Sequence, residues 1–119
     1  MAFGFQTASG DTALTLTAAA ATVSSGPIAN SGAAAFVLAM VQITAITGTS
    51  PTLVVSLDES ADGSTSWTAV TGATTAALTA AGSAVLFGKP TKNFVRVTAT
   101  IGGTTPAVTA NIAFISFAE

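Results

Sequence analysis

The 119-residue sequence predicts an all-β protein, an antiparallel β-sandwich with jelly-roll or immunoglobulin-like Greek-key connections. Most apolar segments alternate with period two, and Gly, Pro, Ser, Asn or Asp clusters separate them at short intervals. A third observation removes the competitor. The alanine runs at 18–21, 33–35 and 76–77 are short, flanked by Thr, Ser or Gly, and carry no sustained stripe of period 3.6, so they read as loops or strand ends.

Residues 1–11 fit no strand well. Phe3 and Phe5 stand in a glycine-containing polar context, which predicts an N-terminal arm ahead of a single domain over 12–119. "ALTLT" (13–17) puts Leu14 and Leu16 inward and Thr15 and Thr17 outward. "FVLAMVQITAIT" (36–47) has apolar residues on both faces of its first half, as expected of a central strand or one whose second face meets a partner. "TLVVSL" (52–57) aligns Leu53, Val55 and Leu57, and "SWTAV" (66–70) and "SAVLF" (83–87) are short strands. "FVRVTATI" (94–101) alternates Val95, Val97, Ala99 and Ile101 against Arg96, Thr98 and Thr100, and "AVTANIAFISF" (107–117) closes the chain. "ITAITGTSPTLVV" (43–55) and "TATIGGTTPAVTA" (98–110) repeat a pattern of strand, Gly-Thr or Gly-Gly-Thr leading to Pro, and strand. Gly48 aligns with Gly103 and Pro51 with Pro106. The spacing predicts two hairpins built on the same turn chemistry.

Composition narrows the function. Histidine, cysteine and tyrosine are absent, which removes the usual general base, the usual metal ligands and any disulfide. No enzyme, cofactor or metal is expected. Only 7% of residues are charged, against about 25% in ordinary soluble domains. A net charge of -2 lacks the basic footprint that nucleic acid requires. The longest apolar run, 33–46, is interrupted by Gln42 and Thr44 and is shorter than the roughly 20 residues a bilayer core demands. No basic leader precedes an apolar stretch, so a soluble, unprocessed chain is expected. So little charge on an exterior of Thr, Ser, Ala and Gly favours association with copies or neighbours.

One stretch, "SLDESADGSTSWTAV" (56–70), gathers Asp58, Glu59 and Asp62 before Gly63 and the single tryptophan, Trp67. The spacing Asp58-x-Ser60-x-Asp62-Gly63 opens like a helix–loop–helix calcium loop. It then fails, because Ala69 stands where the bidentate glutamate belongs and the flanks are strands. Trp67 could floor a sugar site, but no second tryptophan or tyrosine supports it, and a ring re-entering the core is expected instead. The acidic stretch therefore reads as a hairpin turn. Lys89, Lys92 and Arg96, in "GKPTKNFVR" (88–96), hold the entire positive charge. That segregation suits contacts between molecules, with Phe3, Phe5, Asp58, Glu59, Asp62, Lys89, Lys92 and Arg96 as candidate interface residues.

The order of these elements resembles a widespread type of small virion structural protein from tailed bacteriophages. The resemblance rests on Gly48–Pro51, on Asp62-Gly63 ahead of Trp67-Thr68, on Phe94–Arg96 and on Gly102–Pro106, over a little more than half the chain. It transfers no catalytic residues, and 1–35 lies outside it. It implies a place in the virion; with the low charge, the small all-β domain and the aromatic arm, the expectation is a capsid decoration (cement) protein, assembled in the host cytoplasm onto the virion surface. The implied partners are the major capsid protein and further copies of itself, with no nucleic acid or membrane. The alternative expectation is a tail or fibre module that recognises host glycans through Trp67 and the Asp58–Gly63 loop.

Overall fold

The structure, a computed structural model, describes residues 4–29 and 36–118. The described residues contain no helix, and hence none long and apolar enough to cross a membrane. The strands are β1 (Gly4–Ala19), β2 (Val23–Ser24), β3 (Ile28–Ala29), β4 (Phe36–Ser60), β5 (Thr68–Thr74), β6 (Gly82–Gly88) and β7 (Phe94–Ala118). All pairings are antiparallel.

Two 25-residue strands dominate. β4 and β7 pair from Phe36↔Phe117 to Ser60↔Phe94 with three register shifts: between Ile43 and Ala45, between Thr47 and Thr49, and between Thr49 and Thr52. The last two fall at the paired repeats, so the repeats are not the two hairpins that the sequence predicts. A hairpin needs its own flanks to pair with each other, whereas each flank here pairs with the other motif. The Gly48–Pro51 and Gly103–Pro106 stretches face one another around Thr49↔Thr104 and form a single crease in a continuous ribbon. Both prolines fall in the register gaps, the place where a sheet tolerates a residue that cannot donate to the ladder.

The crease has local twofold symmetry. A Cβ on Gly48 would lie 2.8 Å from the Thr105 carbonyl oxygen and 2.9 Å from Pro106 Cα. One on Gly103 would lie 2.7 Å from the Ser50 oxygen and 2.9 Å from Pro51 Cα. Gly48 and Gly103 have φ of 122° and 109°, and Ser50 and Thr105 have φ of 49° and 46°. Positive φ and backbone close to the missing side chain are the two reasons glycine is required at both sites.

The crease divides the ribbon into two layers. In the first, the order is β1, the end of β7, the start of β4, then β6. In the second it is β2 and β3, the start of β7, the end of β4, then β5. Taking β2 and β3 as one segment and cutting β4 and β7 at the crease gives eight segments. Their orders, first–eighth–third–sixth and second–seventh–fourth–fifth, are those of a jelly roll, which decides between the two topologies that the sequence leaves open.

The layers enclose one core. Val37, Ala39, Val41 and Ile43 line it before the crease of β4, and Leu53, Val55 and Leu57 after it. On β7 the buried set passes from Val95, Val97 and Ala99 to Val108, Ala110, Ile112 and Phe114. The parity changes from odd to even, as one inserted residue at a bulge requires. The layers touch where a Cβ on Gly88 of β6 would meet Val70 and Ala73 of β5 at 2.8 and 3.0 Å. Each large aliphatic side chain removed from water here contributes about 1.5–3 kcal/mol.

The ends of the chain refine two expectations. β1 begins at Gly4 and pairs with β7 from Gly4↔Ala118 onwards, so the position expected to divide arm from domain, residues 11 and 12, lies within a strand. Alternation is recognisable only from residue 13 because register shifts between Thr7 and Thr12 interrupt the earlier ladder. Phe5 stands in β1 opposite Phe117, and Phe3 lies outside the described residues.

Candidate functional site

Asp58, Glu59, Asp62, Lys92 and Arg96 converge on one end of the second layer. Asp58 on β4 stands opposite Arg96 on β7, placed there by the ladder and turned outward by alternation with the buried Leu57 and Val97. Asp58 Oδ2 accepts a hydrogen bond from Thr98 Oγ1 at 2.7 Å and lies 3.5 Å from Arg96 Nε. Thr98 Oγ1 is also 3.2 Å from Ser24 Oγ. Since the Thr98 proton is directed at Asp58, Ser24 is the donor to Thr98, and β2, β7 and β4 are tied together across the sheet. The Arg96 guanidinium carbon lies 4.4 Å from the centroid of the Trp67 ring, a cation–π contact. Trp67 is half-buried and outside the core, contrary to the expectation that it re-enters it. Ser66, with φ of 56°, turns the chain just before the ring, which lies beneath Arg96.

Glu59, the next residue, points the other way. It is 8% exposed, and its Oε1 accepts hydrogen bonds from Thr91 N at 2.6 Å, Lys92 N at 3.2 Å and Thr91 Oγ1 at 3.3 Å. A carboxylate receiving two backbone donors and a hydroxyl fastens the loop from β6 to β7 onto β4. Lys92 Nζ lies 3.3 Å from Thr68 Oγ1 at the start of β5, and Lys89 lies in the same loop. The acidic and basic segments, which the sequence shows only as separate clusters, thus meet within one molecule.

Asp62 organises the loop from β4 to β5. Its Oδ1 accepts from Ser64 N and Thr65 N, each at 2.9 Å, and its Oδ2 from Thr65 Oγ1 at 2.7 Å. Fully buried Ser60 completes the turn. Its Oγ can donate to the Thr65 carbonyl at 2.6 Å or to Asp62 at 2.9 Å, and it accepts from Asp62 N and Gly63 N. The backbone N–H groups of Thr65 and Ser64, then the Thr65 and Ser60 hydroxyls, hold the Asp62 carboxyl well below the usual carboxylate range. Gly63 has φ of 78°, and the Phe94 ring lies where its Cβ would be, at 3.0 Å. The loop is a hairpin connection, as expected of an acidic turn, with its carboxylate turned onto its own backbone. Among the described residues no group of three or more His, Cys, Asp or Glu side chains could hold a metal ion.

The outer face of the first layer differs. Met40, Val85 and Phe87 are 49%, 57% and 59% exposed, and Met40 pairs with Val85 while half-buried Leu38 pairs with Phe87. No charged residue lies in β6 or in the part of β4 beside it. This patch is absent from the set of interface residues that the sequence suggests. The two-faced apolar character of 36–47 was the signal for it.

No protein-family model matches the chain, and no curated protein matches it in sequence. Solved structures share the fold. The PBSX exported protein XepA is similar with a TM-score of 0.66 and 13% identity over 91% of this chain; the chain spans 36% of XepA's length. The SPBc2 prophage-derived protein YomS is similar with a TM-score of 0.51 and 11% identity, covering 99% of this chain and 96% of that one. A Bacillus endospore appendage protein, of a family of disulfide-linked pili, has a TM-score of 0.51 and 20% identity over 97% of this chain and 85% of its own. This chain has no cysteine and cannot be linked as those pili are.

Proposed function

We propose that the chain is a non-enzymatic structural protein of a tailed-phage virion, a capsid decoration (cement) protein that binds the outer surface of the shell and stabilises it. The observation that carries this reading is the division of the surface. Asp58, Glu59, Asp62 and Arg96 are engaged within the molecule, while β6 and the part of β4 beside it carry no charge and expose Met40, Val85 and Phe87. Such a surface suits contact with protein rather than turnover of a substrate. The order of motifs over Gly48–Pro106 and a fold shared with a prophage-derived protein and a PBSX exported protein support a virion setting.

The mechanism is additive contact. Each copy bridges neighbouring units of the shell protein, and a small free energy per site is multiplied over a lattice. Phe3, Phe5, Lys89 and Lys92 remain the proposed contacts to the major capsid protein. The glycan-binding alternative would have to use the face of the Trp67 ring that Arg96 does not cover.

Quantitative mass spectrometry of purified virions is the test. A decoration protein is expected in simple ratio to the major shell protein, and shells stripped of it should rupture at lower temperature. A handful of copies per particle, or unchanged rupture, would overturn the reading.

A further inference from the structure

Edge strands invite pairing with other chains, and proteins blunt them with bulges, charges, proline or brevity. Three edges of this jelly roll are blunted. β1 has three register shifts against β7. β2 and β3 have two residues each. On β5, four residues (70–73) stand between the partners of Ser56 and Asp58, with Gly72 at φ of 79°.

β6 is different. It is the outermost strand of the first layer, and it pairs with β4 from Val37↔Gly88 to Ile43↔Gly82 without a register shift. Its sequence, Gly-Ser-Ala-Val-Leu-Phe-Gly, contains no charge and no proline. The three large hydrophobic residues exposed among the described residues, Met40, Val85 and Phe87, all lie on this strand or directly opposite it.

We propose that the β6 edge pairs antiparallel with the β6 edge of a second copy, about a twofold axis through Val85, joining two first layers into one continuous sheet. The strand is complementary to itself in this register. Val85 stands opposite Val85, Ser83 opposite Phe87 on the outer face, and Ala84 opposite Leu86 on the core side, with a glycine at each end. The nearest charge, Lys89, falls opposite Ala81 rather than another lysine. An open groove of ≈ 390 Å³ between Thr71, Gly72 and Thr74 of β5 and the 85–89 stretch lies beside this edge, with room for the inward side chains of the incoming strand.

A second copy is the occupant that fits. The edge offers no charge to select a charged partner, and the same neutral row on a second copy meets it without an unpaired charge. A single strand pair buries less than the roughly 1,200 Å² of a stable interface, so association is weak and concentration-dependent. The proposal does not rest on the decoration reading.

Because the chain has no cysteine, Val85→Cys places a single thiol on the axis. Under mild oxidation the native variant is expected to form a disulfide dimer at least about tenfold faster than Thr100→Cys, exposed on the second layer. Equal rates would overturn the proposal. Sedimentation of the unaltered chain, which needs no variant to fold, should show dimer growing between about 1 and 500 μM, and Val85→Lys should shift it to monomer by setting like charges across the axis. A monomer throughout that range, or a dimer that Val85→Lys leaves intact, would refute the β6 edge while leaving the capsid reading standing.

Discussion

Asp62 is exposed, yet it is the residue around which the loop from β4 to β5 is built, and its titration is expected to register in stability. Its folded carboxyl is held below the usual range while the unfolded one titrates near about 4, so the unfolded chain binds the proton first. The stabilisation is therefore fully present above that unfolded value and is lost as pH falls toward the folded one. Asp62→Asn keeps an acceptor and removes the titration. The gap in melting temperature between the native chain and Asp62→Asn should be constant above about pH 5 and should shrink below about pH 4. A gap that does not change with pH would mean that the carboxylate charge contributes nothing to the loop. The sequence shows Asp62-Gly63 as a turn, because the dipeptide carries its own conformational preference. It does not show that Glu59 turns inward to fasten the loop holding Thr91 and Lys92, since that contact spans 32 residues and depends on pairing. The place of Trp67 outside the core is hidden from the sequence for a related reason. Its ring lies against Arg96, and the two are brought together only by the pairing of β4 with both β5 and β7.

At the scale of elements, the crease is where sequence and structure part most instructively. The strands on either side are legible from alternation, and the matching Gly and Pro positions reveal that the two segments are related. Local patterns cannot say whether a Gly-Thr-Ser-Pro stretch reverses a strand or bends it, because both need positive φ and both exclude proline from the ladder. The distinction lies in partners more than 50 residues away, such as Thr49 and Thr104. Gly48→Ala tests the bend. Its Cβ would meet backbone atoms of Thr105 and Pro106 at 2.8 and 2.9 Å, at a φ of 122°. The expected loss is about 1–3 kcal/mol for the dihedral alone, and more for the contact. Gly72→Ala also has positive φ, but nothing within 4 Å of its Cβ. Denaturant midpoints should rank the native chain above Gly72→Ala and Gly72→Ala well above Gly48→Ala. Equal losses at the two sites would mean that the close approach across the crease is not what demands glycine.

For the whole molecule, the fold class was legible in the sequence, whereas its jelly-roll order was not, because order is set by pairings between distant segments. The same separation explains why the apolar outer face of the first layer is hard to read. Leu38, Met40, Val85 and Phe87 form one patch only once β6 lies against β4. The continuity of β4 and β7 through the crease has a consequence for how the protein comes apart. In a sandwich whose layers are joined by loops, one layer can open while the other holds. Here each central strand belongs to both layers, so opening either layer releases the backbone ladder that supports the other. Hydrogen exchange provides the check. The amides of Val41 and Leu57, on opposite sides of the crease, should exchange through one global event with the same denaturant dependence. If Val41 exchanged through a smaller opening than Leu57, the layers would be separate cooperative units. On that expectation the core is reached by solvent only when the whole molecule yields at once, and no smaller opening should expose it.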